Sequence, residues 1–307
     1  MKKTALILTA TVLLGSASIA AAGPGLSGAQ VLQQRSSARP AGMGNAFAAS
    51  SGELCSIEVN PAGLYDLEKI EILFMHVGGL EGLSTEMLTA AMPLSGLGVM
   101  GIQALYRGQP SIDNNVPGEP SVPVKDMVYG LTFARAFSSA LSVGLNAKIA
   151  ALTLGPVDTS ALAFDLGAQY ALQEGLTLGG VIRNLGTPVV FRSEEDPLPL
   201  TAQFGVCYAL INQLPHELRT AADVSYLAPD ENWTLHLGSE YWFRRVLALR
   251  LGYSHSQDRS VQGMSFGVGF RFKAGKADLS LDYALQPQFW EDEDFETENL
   301  ISLSVKF

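Results

Sequence analysis

The chain has 307 residues, 47% of them hydrophobic and only 16% charged, against about 25% charged in an average globular protein. That composition excludes intrinsic disorder, which needs high charge and little apolar content, and the scattered 31 glycines and 15 prolines exclude collagen and low-complexity arrays. Acidic residues outnumber basic ones 30 to 20, so no partnership with nucleic acid is expected, because phosphate binding needs a Lys/Arg surplus.

Residues 1–22 read as a secretory signal peptide. Met1-Lys2-Lys3 is followed by an apolar run from Ala5 to Leu14 and a small-residue stretch ending Ala20-Ala21-Ala22. Basic, apolar and small-residue regions in that order are what export and signal peptidase require. Cleavage is expected after Ala22, and no later apolar stretch is long enough for a membrane-spanning helix.

Residues 23–69 show no sustained periodicity. From Ile70 onward the apolar residues recur every second position, the period of a strand with one apolar face. Met264, Phe266, Val268, Phe270 and Phe272 alternate with Ser265, Gly267, Gly269 and Arg271, and Ala202-Phe204-Val206-Tyr208 behave in the same way. Fourteen such runs are expected: 70–77, 83–93, 97–107, 126–137, 140–153, 159–172, 174–184, 199–210, 216–228, 231–243, 245–256, 262–272, 276–286 and 298–307. They are nearer ten residues than the five or six of soluble strands, and ten residues cross a tilted bilayer span. An even strand count suits a bacterial outer-membrane barrel.

The connections are sorted by parity. Gly108–Lys125, Leu185–Leu198 and Pro287–Thr297 are long and follow odd-numbered runs, whereas Pro93–Gly96, Phe137–Ala140, Leu172–Gly175, Phe243–Arg245 and Lys273–Lys276 are short and follow even ones. Pro229-Asp230 is a tight exception. Short periplasmic turns and longer outer loops produce this asymmetry in a membrane barrel. Aromatics gather at run ends, Tyr106, Tyr226, Trp233, Tyr253 and Tyr283 at one side and Phe137, Tyr170, Tyr208, Tyr241 and Phe272 at the other, as interfacial girdles do. The expected fold is therefore all-β: an antiparallel transmembrane barrel of about 14 strands over 70–307, in the bacterial outer membrane, with outer-membrane lipids as its solvent.

The inward parity carries Lys148, Asp165, Arg183, Asp223, Glu240, Arg250, Arg271, Asp278 and Asp282. Charges of both signs in a lumen pair with one another. No enzyme is expected: His76, His216, His236 and His255 lack metal spacing, and no nucleophile elbow, Walker loop or dinucleotide fingerprint occurs. No cofactor or metal is called for, and Glu291-Asp292-Glu293-Asp294 reads as a solvated loop. Cys55 and Cys207 are either a tether between the N-terminal segment and the wall or two small packed thiols.

Ser37-Ala38-Arg39-Pro40-Ala41-Gly42-Met43-Gly44-Asn45-Ala46-Phe47-Ala48, followed by Asn60-Pro61-Ala62-Gly63-Leu64, resembles the opening of the PorV/PorQ family within the wider FadL-like group of outer-membrane proteins. Asn184-Leu185-Gly186 and Asp196-Pro197-Leu198-Pro199 resemble it too, while Pro40 and Gly52-Glu53-Leu54-Cys55 depart from the family pattern. The resemblance implies that 23–69 fold inside the barrel as a hatch, with Gly42, Met43, Gly44, Phe47, Asn60, Pro61 and Ala62 as hatch and ligand-region residues. Gly42 and Gly44 suit close backbone approach or positive φ, and Asn60-Pro61 suits a turn. It also resembles barrel proteins in the terminal Leu303-Ser304-Val305-Lys306-Phe307, where Phe307 would be read by the barrel-assembly machinery. Two functions follow as expectations: passive transport of hydrophobic, fatty-acid-like small molecules through a plugged lumen, or a PorV-like accessory role in type IX secretion with a secreted protein as cargo. A purely structural outer-membrane protein is the third.

Overall fold

A computed structural model describes residues 26–34, 37–79, 82–112, 122–191, 193–258, 262–289 and 295–307. The expected signal segment, 1–22, and the acidic run 291–294 lie outside the described residues.

Alternating apolar and small or polar residues become long strands. They are β1 (Glu71–Gly78), β2 (Ser84–Leu94), β3 (Gly98–Ile112), β4 (Val122–Ala136), β5 (Leu141–Leu154), β6 (Val157–Gln173) and β7 (Leu176–Gly186). A short pair follows, β8 (Val189–Phe191) and β9 (Glu194–Asp196), then β10 (Thr201–Gln213), β11 (His216–Leu227), β12 (Asn232–Phe243), β13 (Leu247–Ser256), β14 (Gln262–Ala274), β15 (Ala277–Phe289) and β16 (Phe295–Lys306). Fourteen of them form one closed antiparallel barrel in chain order, β7 pairing with β10 and β1 closing on β16, while β8 and β9 form a separate two-stranded hairpin. Closure removes the sheet edges that would otherwise present unpaired backbone groups.

All fourteen expected runs are strands, but several connections differ from the sequence reading. β3 and β4 extend past the expected ends and pair Arg107 with Asp126, Gly108 with Lys125 and Gln109 with Val124. The 185–198 link contains β8 and β9. Backbone pairing continues wherever two strands stay adjacent, so the ladder outlasts the hydrophobic alternation that sequence reasoning follows.

The outward positions are large and apolar. Phe74, Leu88, Ile102, Leu131, Leu145, Leu166, Phe204, Leu249, Phe266 and Ile301 are all exposed, and a continuous apolar exterior of this kind suits lipid rather than water. The buried apolar residues lie on the other side of the wall. Phe47, Met43, Leu54, Ile57 and Leu64 of the N-terminal segment pack with inward Leu73, Met75, Met87, Val99, Leu105 and Val128. That segment contains helix α1 (Ala38–Gly42) and three 3-10 turns, Gln30–Gln33, Leu54–Glu58 and Pro61–Asp66. Helix α1 touches β13 to β16, and the Pro61–Asp66 turn touches β3 to β6.

Candidate functional site: the lumen and its N-terminal segment

The inner wall is notched by glycines. A Cβ built at Gly144 would lie 2.3 Å from the Pro61 carbonyl carbon and 2.4 Å from Ala62 N. At Gly179 it would lie 2.1 Å from Ala48 O, and at Gly252 2.0 Å from Gly44 N. Gly167 faces Asn60, and Gly238 faces Met43. Backbone of the segment, or at Gly167 the Asn60 side chain, occupies each place, so no side chain fits there. Within the segment Gly44 has φ +59° and Gly42 meets the Gly267 Cα, so one glycine supplies the turn and the other the close approach.

Polar side chains then fix the segment to the wall. Asn60 is fully buried; its Oδ1 accepts from Ala62 N at 3.0 Å, capping the Pro61–Asp66 turn, and its Nδ2 donates to Ala48 O at 2.7 Å. Gln169 Nε2 donates to Ala48 O and Ser50 O at 2.9 and 2.8 Å. The Asp223 carboxylate accepts from Phe47 N, Ala48 N and Gln203 Nε2 at 2.9, 2.8 and 2.7 Å. Gly44 O accepts from His236 Nδ1 at 2.8 Å and from Ser254 Oγ at 2.7 Å. At the long-link end Gly28 N donates to Pro197 O at 2.9 Å, and Val189 and Leu198 are buried beside it. The hairpin thus lies over the start of the segment.

The expected lumen network divides into separate clusters. Arg39 of the segment reaches Glu240 through two bonds of 2.7 and 2.6 Å, and Arg250 Nε reaches the same carboxylate at 2.8 Å. Arg250 also pairs with Asp282 at 2.7 Å. Arg39 touches Glu53 at 2.5 Å, and Glu53 pairs with Arg271, whose guanidinium carbon lies 4.1 Å from the Trp242 ring centroid. Segment and wall therefore exchange charges reciprocally, Arg39 to Glu240 and Arg271 to Glu53. A second cluster joins Lys148 to Asp165 at 2.7 Å and to Asn184 Oδ1 at 2.5 Å. Arg183 instead donates to Gln203 Oε1 and Glu58 O, both within 3.2 Å. Asp278 belongs to none of these: it pairs with Lys69 on an exposed rim at 2.6 Å. A charge at the end of a strand keeps its parity but reaches solvent, which parity alone does not reveal.

Sequence reasoning placed Arg39 and Glu53 in a motif without giving either a role. The available signal was a lone cation among small residues from Ser37 to Ala48, since a cation in such a stretch needs a counter-ion when buried.

Two further spaces lie between the segment and the wall or above it. A crevice of about 40 Å³ lies between the segment's Val31, Leu32 and Ile57 and the wall's Met87, Leu105 and Val128, with Asn146, Lys148 and Asp165 at its polar border. A polar cup of about 310 Å³, lined by Gln30, Gln33, Gln34, Arg107, Arg183 and Asn232 among others, opens at the long-link end. Both cysteines are free thiols, Cys55 buried and Cys207 half-buried, and burial pushes the Cys55 thiol up to about 12. Phe307 N donates to Ile70 O at 2.9 Å, and its ring points outward.

No protein-family model matches this chain, and no curated protein matches it in sequence. Solved structures do. The toluene transporter TbuX of Ralstonia pickettii superposes with a TM-score of 0.63 at 10% identity, covering 88% of this chain and 97% of the transporter. The monoaromatic hydrocarbon channel CymD gives 0.62 at 15% identity, with the same coverage of 88% and 97%. A FadL homologue of Pseudomonas aeruginosa gives 0.58 at 11% identity, covering 89% and 98%. The chain has the FadL-type fold. In that fold the likeness extends over nearly the full length of each relative.

Proposed function

We propose that this chain is an outer-membrane channel for small hydrophobic molecules, with residues 26–69 as the hatch that controls passage. The observation that carries the reading is the division of the lumen. Leu73, Met75, Met87, Leu105 and Val128 of β1–β4 give the segment an apolar wall, while Asp223, Glu240 and Arg250 of β11–β13 give it an ionic one. An apolar track favours uncharged solutes, and the ionic side anchors the hatch. Short turns face the periplasm and the long links face outward. Two proteins of similar fold are a toluene transporter and a monoaromatic hydrocarbon channel, which supports aromatic as well as fatty-acid-like substrates. Benzene fits a dry cavity of about 150 Å³, so the 40 Å³ crevice must widen several-fold, and the Val31–Ile57 side of the hatch is the part that moves. Export by the N-terminal signal, insertion by the barrel-assembly machinery and contact with outer-membrane lipids belong to the same reading.

The closed crevice also favours a second reading, in which the PorV/PorQ-like motifs mark an accessory protein that binds a secreted cargo and transports nothing. Uptake separates the two. Vesicles holding heat-modifiable, correctly assembled protein are expected to take up radiolabelled toluene or palmitate faster than empty vesicles. Equal rates for both solutes reject the channel.

A further inference from the structure

The outward face of β5–β7 is not uniformly bulky. Cross-strand pairing sets Arg135, Val143, Ala168 and Gly180 in one row across β4–β7. The next row on one side is Phe133, Leu145, Leu166 and Ile182, and on the other Leu141, Tyr170 and Leu178. The small residues and the Phe133 row beside them line a groove of about 930 Å³ with almost wholly apolar walls, which continues past Gly180 to Phe204, Tyr226 and Trp233.

Gly180 is the informative position. The inward glycines of the same strands, Gly144, Gly167 and Gly179, are filled by hatch backbone or by Asn60. A Cβ at Gly180 would meet only the Phe204 ring, at 3.8 Å, which is ordinary contact. Neither the barrel nor its backbone conformation requires glycine there; its effect is to leave space outside. Arg135 stands at the end of the row, exposed, with its guanidinium carbon 5.9 Å from the Phe137 ring centroid. Among the described residues no carboxylate pairs with it. The other outward-facing Asp, Glu and Lys of the described strands, Glu86, Lys125 and Asp158, lie toward the long-link ends. Among the described strand residues Arg135 is thus the outward-facing cation of the periplasmic half; the exposed Arg244 and Arg245 of that end sit in the β12–β13 turn.

We propose that this groove binds one glycerophospholipid of the periplasmic leaflet, its phosphate on Arg135 and one acyl chain along Val143, Ala168 and Gly180. The guanidinium fork matches a phosphate. The row crosses three strand spacings, about 14 Å, and with strands tilted about 35–45° it climbs about 8–10 Å into the roughly 15 Å depth of one leaflet's hydrocarbon. The inference rests on the outer-membrane placement given above and not on transport.

The test uses the full-length mature protein in detergent, titrated with palmitoyl-oleoyl-phosphatidylglycerol and read by mass spectrometry of the intact complex. Heat-modifiable mobility first confirms the barrel in every variant; a chain that is soluble without detergent rejects the membrane reading itself. One tightly held lipid per chain is expected in the unaltered protein. Arg135→Gln and Gly180→Leu should each weaken it at least ten-fold, Arg135→Lys less, and Lys125→Gln not at all. Equal loss in Arg135→Gln and Lys125→Gln, or unchanged binding in Gly180→Leu, overturns the site. So does a dimer that Gly180→Leu dissolves, which assigns the groove to a second copy of the chain.

Discussion

Replacing Asn60 by Ala tests whether the hatch is a separately anchored unit. The substitution removes the cap on Ala62 N, at 3.0 Å, and the buried bond to Ala48 O, at 2.7 Å. A lost cap costs about 1 kcal/mol, and a lost buried hydrogen bond costs about 1–1.5 kcal/mol. Ala48 O keeps its bond from Gln169, so the main orphan is one backbone N–H. A sum near 2–2.5 kcal/mol raises the population of hatch-open states about 30- to 70-fold. The strand ladders from β1 to β16 do not pass through Asn60, so wall stability should hardly change. Hydrogen exchange reads both parts at once, because local openings report their own free energies. Amides of residues 46–64 should exchange faster by that factor, with β5 and β13 unaffected. If the strands accelerate in parallel, hatch and wall open together and the argument fails; if nothing changes, Asn60 does not anchor the turn.

Two further outcomes follow from the charges and thiols. Glu240→Gln leaves Arg39 and Arg250 facing a neutral amide in a dry site and should cost about 3–5 kcal/mol, seen as a lower temperature for loss of the folded gel form, whereas Asp278→Asn on the exposed rim should leave that temperature unchanged. Because burial raises the Cys55 thiol to about 12 and the thiolate is the reactive form, native protein at pH 8 should resist maleimide at Cys55, while denatured, unreduced protein should label at both cysteines. Rapid native labelling of Cys55 contradicts the buried site.

The wall was readable because a strand's two faces alternate strictly. Phe204 and Phe266 point out, and Gln203 and Ser265 point in, as their places in the alternation require. What lies behind the inward face has no such period. Gly144 and Gly179 read as weak strand residues until Pro61 and Ala48 are seen against them. Gly180, one residue from Gly179, has the same side chain and the opposite meaning, because it faces the other way. The charged residues show the same limit: inward parity identified Glu240 and Arg250, but their partner Arg39 comes from a segment without periodicity. The β8–β9 hairpin was missed because three-residue strands are too short to establish an alternation.

The glycine seats have a consequence for any attempt to empty this lumen. Cutting away residues 26–69 would not yield a wider pipe of the same material. The shell supplies bare main chain at Gly144, Gly179 and Gly252, and Asp223, Glu240 and Arg271 would each lose the partner that the segment provides. It is a mould, and its inner surface is finished only when the casting is in it. A bare barrel would have to be re-sculpted from within, residue by residue, before it could stand as a pore.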